Sequence, residues 1–234
     1  PMTEAGNAEC FTELYGGRFR HVPEWRMWLK WNGSIWAEDK SQAHKRGMLM
    51  TVRARGMAAQ LLPDAEQRRL LASWARQHET NAKINGALQL STVLPSVSAM
   101  PEQFDLDPWL VAMEGRTWDL SRNRPKKAEM GDYITRVLGA KYDAMAECPI
   151  WEKTLQEVFQ GNQEVIDYVQ RAVGYSMTGN TSEQAMFLCV GAGANGKSTI
   201  LGAIRDVFGS YAASARFETF DADVKSTTGD DLAA

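Results

Sequence analysis

Ala185-Met186-Phe187-Leu188-Cys189-Val190 runs directly into Gly191-Ala192-Gly193-Ala194-Asn195-Gly196-Lys197-Ser198-Thr199. The first six residues are continuously apolar, which predicts a strand buried on both faces. The segment from Gly191 to Ser198 matches the pattern G-x-x-x-x-G-K-[ST] at every fixed position. Beyond it, Ile200, Leu201, Ala203, Ile204, Val207 and Phe208 fall on one stripe of a helix. Buried strand, glycine loop and amphipathic helix are the context in which this pattern binds phosphate.

Each residue type has a physical reason. A triphosphate concentrates several negative charges, and only a backbone without bulky side chains approaches it closely enough to solvate them. Gly191, Gly193 and Gly196 are expected to supply that approach and the unusual dihedrals. The amides of Ala192, Ala194 and Asn195 then complete an anion nest at the positive end of the following helix. Lys197 is the candidate catalytic residue, placing an ammonium on the β- and γ-phosphates. The Ser198 hydroxyl is the candidate Mg²⁺ ligand, and Thr199 is expected at the α-phosphate. The implied cofactors are ATP and Mg²⁺.

Hydrolysis also needs an acid at the end of an apolar strand, to hold Mg²⁺ and align water. Downstream of the loop stand Asp221, Asp223, Asp230 and Asp231, none of them closing such a strand, and Arg216–Phe220 alternates instead. No second acid, sensor or arginine finger can be assigned. The expectation is a chain that stops inside its ATPase domain and is inactive alone.

Upstream, Ala8, Phe11, Leu14 and Tyr15 recur at helical spacing until Gly16-Gly17. Trp28–Trp36 carries Asn32-Gly33 between aromatic-rich runs, a hairpin signal resting on two turn residues that tolerate positive φ. Leu70, Leu71, Trp74 and Ala75 line a helix that starts just after Pro63. Trp109–Met113, Glu114-Gly115 and Arg116–Leu120 read as strand, turn, strand. The basic residues Arg122, Arg124, Lys126 and Lys127 follow, either a phosphate-contacting loop or a solvated turn. Pro149 opens a helix with the stripe Trp151, Leu155, Val158 and Phe159, ended by Gly161. Asn162 caps another, with Val165, Val169, Ala172 and Val173, expected to end at Gly174. Both stripes read as core.

Composition bounds the class. The 234 residues are 44% hydrophobic and 24% charged, with a net charge of −3. That is an ordinary globular balance, so any nucleic-acid contact must come from a local patch or from several subunits converging. No apolar run is long enough for a membrane span, and no signal peptide is visible. Cys10, Cys148 and Cys189 are odd in number and form no C-x-x-C pair, which fits a reducing cytoplasm.

Gly174-Tyr175-Ser176-Met177-Thr178-Gly179-Asn180-Thr181-Ser182-Glu183-Gln184, followed by the apolar run and G-x-x-x-N-G-K-S-T, resembles the phage/plasmid primase-helicase family. These are superfamily 3 helicases with a poxvirus primase-helicase-like N-terminal domain. The likeness extends to Gly6-Asn7-Ala8, the tryptophan-rich hairpin, Gly115–Leu120 and Cys148-Pro149-x-Trp151, so about residues 6 to 211 take part. The resemblance implies a hexameric, ATP-driven helicase translocating on single-stranded DNA in a bacterial host cytoplasm, joined to a primase domain or protein. The expected fold class is α+β. A mainly helical accessory domain with short β-hairpins would occupy residues 1–180. The opening strand, P-loop and helix of an incomplete AAA+-like α/β ATPase domain would occupy 181–234. The alternative is a non-catalytic DNA- or protein-binding adaptor, or an oligomerisation domain linking primase to helicase.

Overall fold

The computed structural model describes residues 2–215. Among these are seven α-helices and two three-stranded antiparallel sheets, an α+β architecture divided into two compact units. The first unit holds the described residues up to Leu106 together with Met130–Thr135; the second holds Asp107–Glu129 and the described residues from Arg136 onward.

In the first unit, helix α1 (Glu4–Tyr15) begins where the Thr3 hydroxyl accepts the Gly6 N–H and stops at Gly16, as the spacing predicts. Strands β1 (Phe19–Val22), β2 (Met27–Trp31) and β3 (Trp36–Glu38) form a meander. Helices α2 (Ala43–Ala58), α3 (Ala65–His78) and α4 (Asn81–Ser91) follow. Asp64 caps α3 by accepting the Glu66 N–H, just after Pro63. Phe11 of α1, Phe19 of β1, Met48 and Val52 of α2, and Ile84 and Leu88 of α4 bury one another in a single cluster. Gly47 lets α2 approach closely: a Cβ there would lie 3.0 Å from the Phe11 ring.

The β2–β3 connection differs from the expected two-residue turn. It spans four residues, and only Gly33 has positive φ (100°). Asn32 instead accepts the N–H groups of Ser34 and Ile35 on its side-chain oxygen, both at 2.9 Å. Asparagine works here as a hydrogen-bonding turn residue, not as a left-handed one. Trp36 is fully buried, its indole N–H donating to Met130 O at 2.9 Å and its backbone N–H to Ile134 O at 2.8 Å. Arg20 lies 4.6 Å above the Trp36 ring and donates to the carbonyls of Gly16, Phe19 and Ser96.

In the second unit, β4 (Leu110–Met113) and β5 (Arg116–Asp119) form the expected hairpin, with Gly115 at φ 72° in its turn. The basic stretch is a turn only at Arg122; Arg124–Lys127 is strand β6, paired antiparallel with β5. Helix α5 (Pro149–Val158) starts at its proline as expected. Helix α6 (Gln163–Ser176) is capped by the Asn162 side chain, which accepts the Val165 N–H. Gly174 lies inside α6 rather than ending it, because the backbone stays helical through Ser176. Helix α7 (Lys197–Phe208) completes the described elements.

Two expectations fail in this unit. The stripes of α5 and α6 are half-buried or exposed; α5 has no buried residue and α6 has only Ile166. The run Ala185–Val190 pairs with no strand among the described residues and is exposed, Leu188 at 77% and Val190 at 89%. A strand buried on both faces needs neighbouring strands and covering layers. Residues 2–215 supply neither to this run. No helix among the described residues is long and apolar enough to cross a membrane.

Candidate functional site

Gly191–Gly196 loops back onto the start of α7. Gly196 takes the left-handed conformation (φ 83°, ψ −2°) and precedes α7 as its N-cap without a side-chain bond. A Cβ at Gly196 would lie 2.4 Å from the Val158 side chain, so both φ and space select glycine. Gly191 is constrained by proximity alone, because a Cβ there would lie 2.4 Å from Asn195 Nδ2. Gly193 has neither positive φ nor a close neighbour; the other left-handed residue of the loop is Ala194 (φ 56°). The unusual dihedrals therefore fall at the C-terminal end of the loop, where the chain turns into the helix.

Lys197 points back into this loop. Its ammonium donates to Gly191 O and Ala192 O, both at 2.9 Å, and to Asn195 Oδ1 at 2.6 Å. All three ammonium hydrogens are thereby used within the loop. The bond from Ile200 N–H to Gly196 O (3.0 Å) is the first of the helix, so the N–H groups of Lys197, Ser198 and Thr199 remain for another acceptor. Ser198 and Thr199 are exposed. Free amides and an exposed hydroxyl at one helix start, with the Lys197 ammonium beside them, favour an anion with oxygen acceptors.

The rear of α7 is held firmly. Val137–Gly139 bonds to it through Gly139 N–H to Val207 O (2.9 Å) and Ser210 N–H to Val137 O (3.0 Å), while Leu138 N–H reaches Ala112 O of β4. A Cβ on Gly139 would meet Asp206 O at 2.0 Å. The second sheet thus anchors the C-terminal end of the helix whose N-terminal end carries Lys197. Beside α7 opens an apolar cleft of about 950 Å³, lined by Val158, Tyr168, Val169, Leu188, Ile200 and Ile204 among others. Asp221, Asp223, Asp230, Asp231 and the alternating Arg216–Phe220 lie outside the described residues.

A second polar cluster, in the first unit, escaped the sequence reading. Asp39 sits before α2 and accepts the His44 N–H at 2.8 Å and the His44 ring at 2.7 Å, with the Ser41 hydroxyl on its other oxygen at 2.8 Å. Burial opposes its charge, but the N–H groups of His44 and Ala43 and these side-chain donors prevail, holding its pKa at about 2. Burial pushes the His44 pKa below its usual value despite the pull of Asp39. An ionised carboxylate only accepts, so a neutral His44 carries its proton on Nδ1. The imidazole stacks on Trp28, centroids 4.7 Å apart at 4°. His21 lies 5.2 Å from Trp28, its pKa lowered by burial and then by His44. Trp28 belongs to the tryptophan-rich hairpin, but His44 stands 16 positions after it and His21 seven before it, and no spacing rule connects them.

The model of the D5 N terminal like family matches residues 8–160. The chain belongs to the D5 N terminal like family, whose domain is associated with primase-helicases. No curated protein matches the chain. The D5-like region takes in most of the first unit, the second sheet and α5, and ends before the Gly191–Ser198 loop. It places the chain in a phage or plasmid primase-helicase context.

Proposed function

We propose that the chain is part of a superfamily 3 replicative DNA helicase, in which Gly191–Thr199 binds Mg-ATP ahead of an AAA+-like motor. In this reading Lys197 neutralises the β- and γ-phosphates and Ser198 holds Mg²⁺, while the D5-like region serves as an accessory domain joined to a primase. The complete protein works as a hexamer on single-stranded DNA in the host cytoplasm, with the acid that aligns water supplied outside residues 2–215. The observation that carries the reading is the set of three free amides at the start of α7, which follows the left-handed Gly196 and has the Lys197 ammonium beside it. The exposed Ala185–Val190 run and the apolar cleft beside α7 support it, since both have the composition of surfaces that further strands would cover.

Calorimetric titration of the protein with Mg-ATP tests the reading. Lys197→Ala is expected to weaken uptake about a hundredfold, in line with loss of a charge-assisted contact to phosphate. Full affinity in that variant, with its fold intact by circular dichroism, would remove the motor assignment.

A further inference from the structure

The outer strand of the second sheet has an arrangement that sheet stability alone does not explain. In the β5–β6 register Arg116 stands opposite Lys127, and Trp118 opposite Pro125. Paired residues share a face, so Arg116, Trp118, Pro125 and Lys127 lie on one side. Like charges directly opposite each other cost a sheet stability. Among the described residues neither Arg116 nor Lys127 has an acidic partner, and the acidic Asp119 stands opposite Arg124 on the other face. The nearby acids are engaged elsewhere: Glu114 with Lys141 at 2.8 Å, Glu129 with Lys126 at 3.8 Å, and Asp119 with Arg122 at 3.7 Å and the Ser121 hydroxyl. Charges on an edge strand deter edge-to-edge pairing. That role needs neither a second cation placed across the ladder nor an aromatic beside it. Yet Trp118 meets Tyr142 with ring centroids 4.8 Å apart, and Tyr142 is 44% exposed.

We propose that this face binds single-stranded nucleic acid, with Arg116 and Lys127 on phosphates and the Tyr142–Trp118 pair as a stacking platform for bases. Cations that repel across a ladder are relieved by a polyanion lying between them, and an exposed ring beside them offers a π-face that double-stranded DNA cannot use without unpairing. An acidic protein surface would satisfy the cations and leave the aromatic pair without a role. The partner coincides with the strand on which the proposed helicase acts, but the site lies apart from the Gly191–Thr199 loop. Its binding requires no nucleotide.

The test is fluorescence anisotropy of a labelled oligothymidylate titrated with the protein in the absence of nucleotide, at low and at physiological salt. Lys127→Glu is expected to weaken binding roughly tenfold and to flatten the salt dependence. The same change turns the repelling pair into an attracting one, so the variant should melt no lower than the parent, which separates lost binding from lost folding. Tyr142→Ala should weaken binding about fivefold or more at unchanged salt slope. Arg46→Glu, an exposed charge reversal in the first unit, should leave binding as it is. Unchanged affinity in both Lys127→Glu and Tyr142→Ala would overturn the proposal. So would equal binding of a duplex of the same length, or displacement of the oligonucleotide by polyglutamate at equal charge. None of these results depends on whether the P-loop takes up ATP.

Discussion

Phe11, Trp36, Met48 and Val52 of the first unit have no measurable exposure, whereas α5 of the second unit contributes no buried residue at all. Both regions are built from amphipathic helices beside a three-stranded sheet, so the difference lies in partners. In the first unit α1, α2 and α4 turn their apolar faces toward a shared cluster. In the second, the faces of α6 and α7 line an open cleft. An apolar stripe predicts that a helix has a side to bury; whether it is buried depends on what else the chain brings to that side.

The largest expected effect tests this contrast directly. Trp36→Ala removes a fully buried ring, its bond to Met130 O and the seat of Arg20, and should cost about 3–5 kcal/mol in urea denaturation. Trp151→Ala on half-buried α5 should cost less than about 1.5 kcal/mol. Equal losses would erase the distinction between the units.

Next in size is the glycine loop. Gly196→Ala combines a left-handed backbone with a clash against Val158 and should destabilise the start of α7 by about 1–3 kcal/mol, read by amide exchange of Ser198–Leu201. Gly193→Ala meets no atom within 4 Å, and its effect on the same amides should stay within about 0.5 kcal/mol.

Acid should weaken the first unit before the second. His21 and His44 have folded pKa values below the usual 6.5, so the unfolded chain binds more protons as pH falls through that value, and stability drops. The contribution of Asp39 persists to lower pH, being lost only between 3.8 and about 2. Denaturation midpoints should therefore fall between neutral pH and about pH 5.5, and His44→Gln should flatten that dependence. A midpoint constant over this range in the parent protein would contradict the burial of both rings.

The smallest effect is the most discriminating. Leu188→Ala at a 77% exposed position should change the stability of this chain by less than about 0.5 kcal/mol. In a longer polypeptide whose added strands cover Ala185–Val190, the same change should cost about 2–5 kcal/mol. The pair of measurements tells whether the run is a strand awaiting its sheet.

Much of the local structure was legible from residue patterns. The stop of the first helix at Gly16, the Glu114-Gly115 turn, the Pro149 start and the Asn162 cap follow from short-range chemistry and stand where the sequence places them. So does the helix after Lys197. What was not legible involves distant partners: β1, β6, the core helices α2 and α4, and the Asp39–His44–Trp28 cluster. Arg124–Lys127 reads as a solvated turn by composition, because a strand at a sheet edge need not alternate apolar and polar residues. The wrong reading of Ala185–Val190 has the same origin, since continuous hydrophobicity records a tendency to be buried, not the presence of a cover.

The amino-acid order alone determined that the first helix stops at Gly16, that α5 and α6 start at Pro149 and after Asn162, where the hairpin turns at Gly115, and that a glycine with left-handed φ precedes Lys197. Those outcomes depend on φ preferences and on hydrogen bonds spanning a few residues. The tertiary structure decided which apolar faces are covered, that Arg116 confronts Lys127 across a ladder, and that burial and a carboxylate set the charge of His44. Such outcomes depend on residues far apart in the chain meeting in space, and the desolvation and charge pairing that govern them exist only after that meeting.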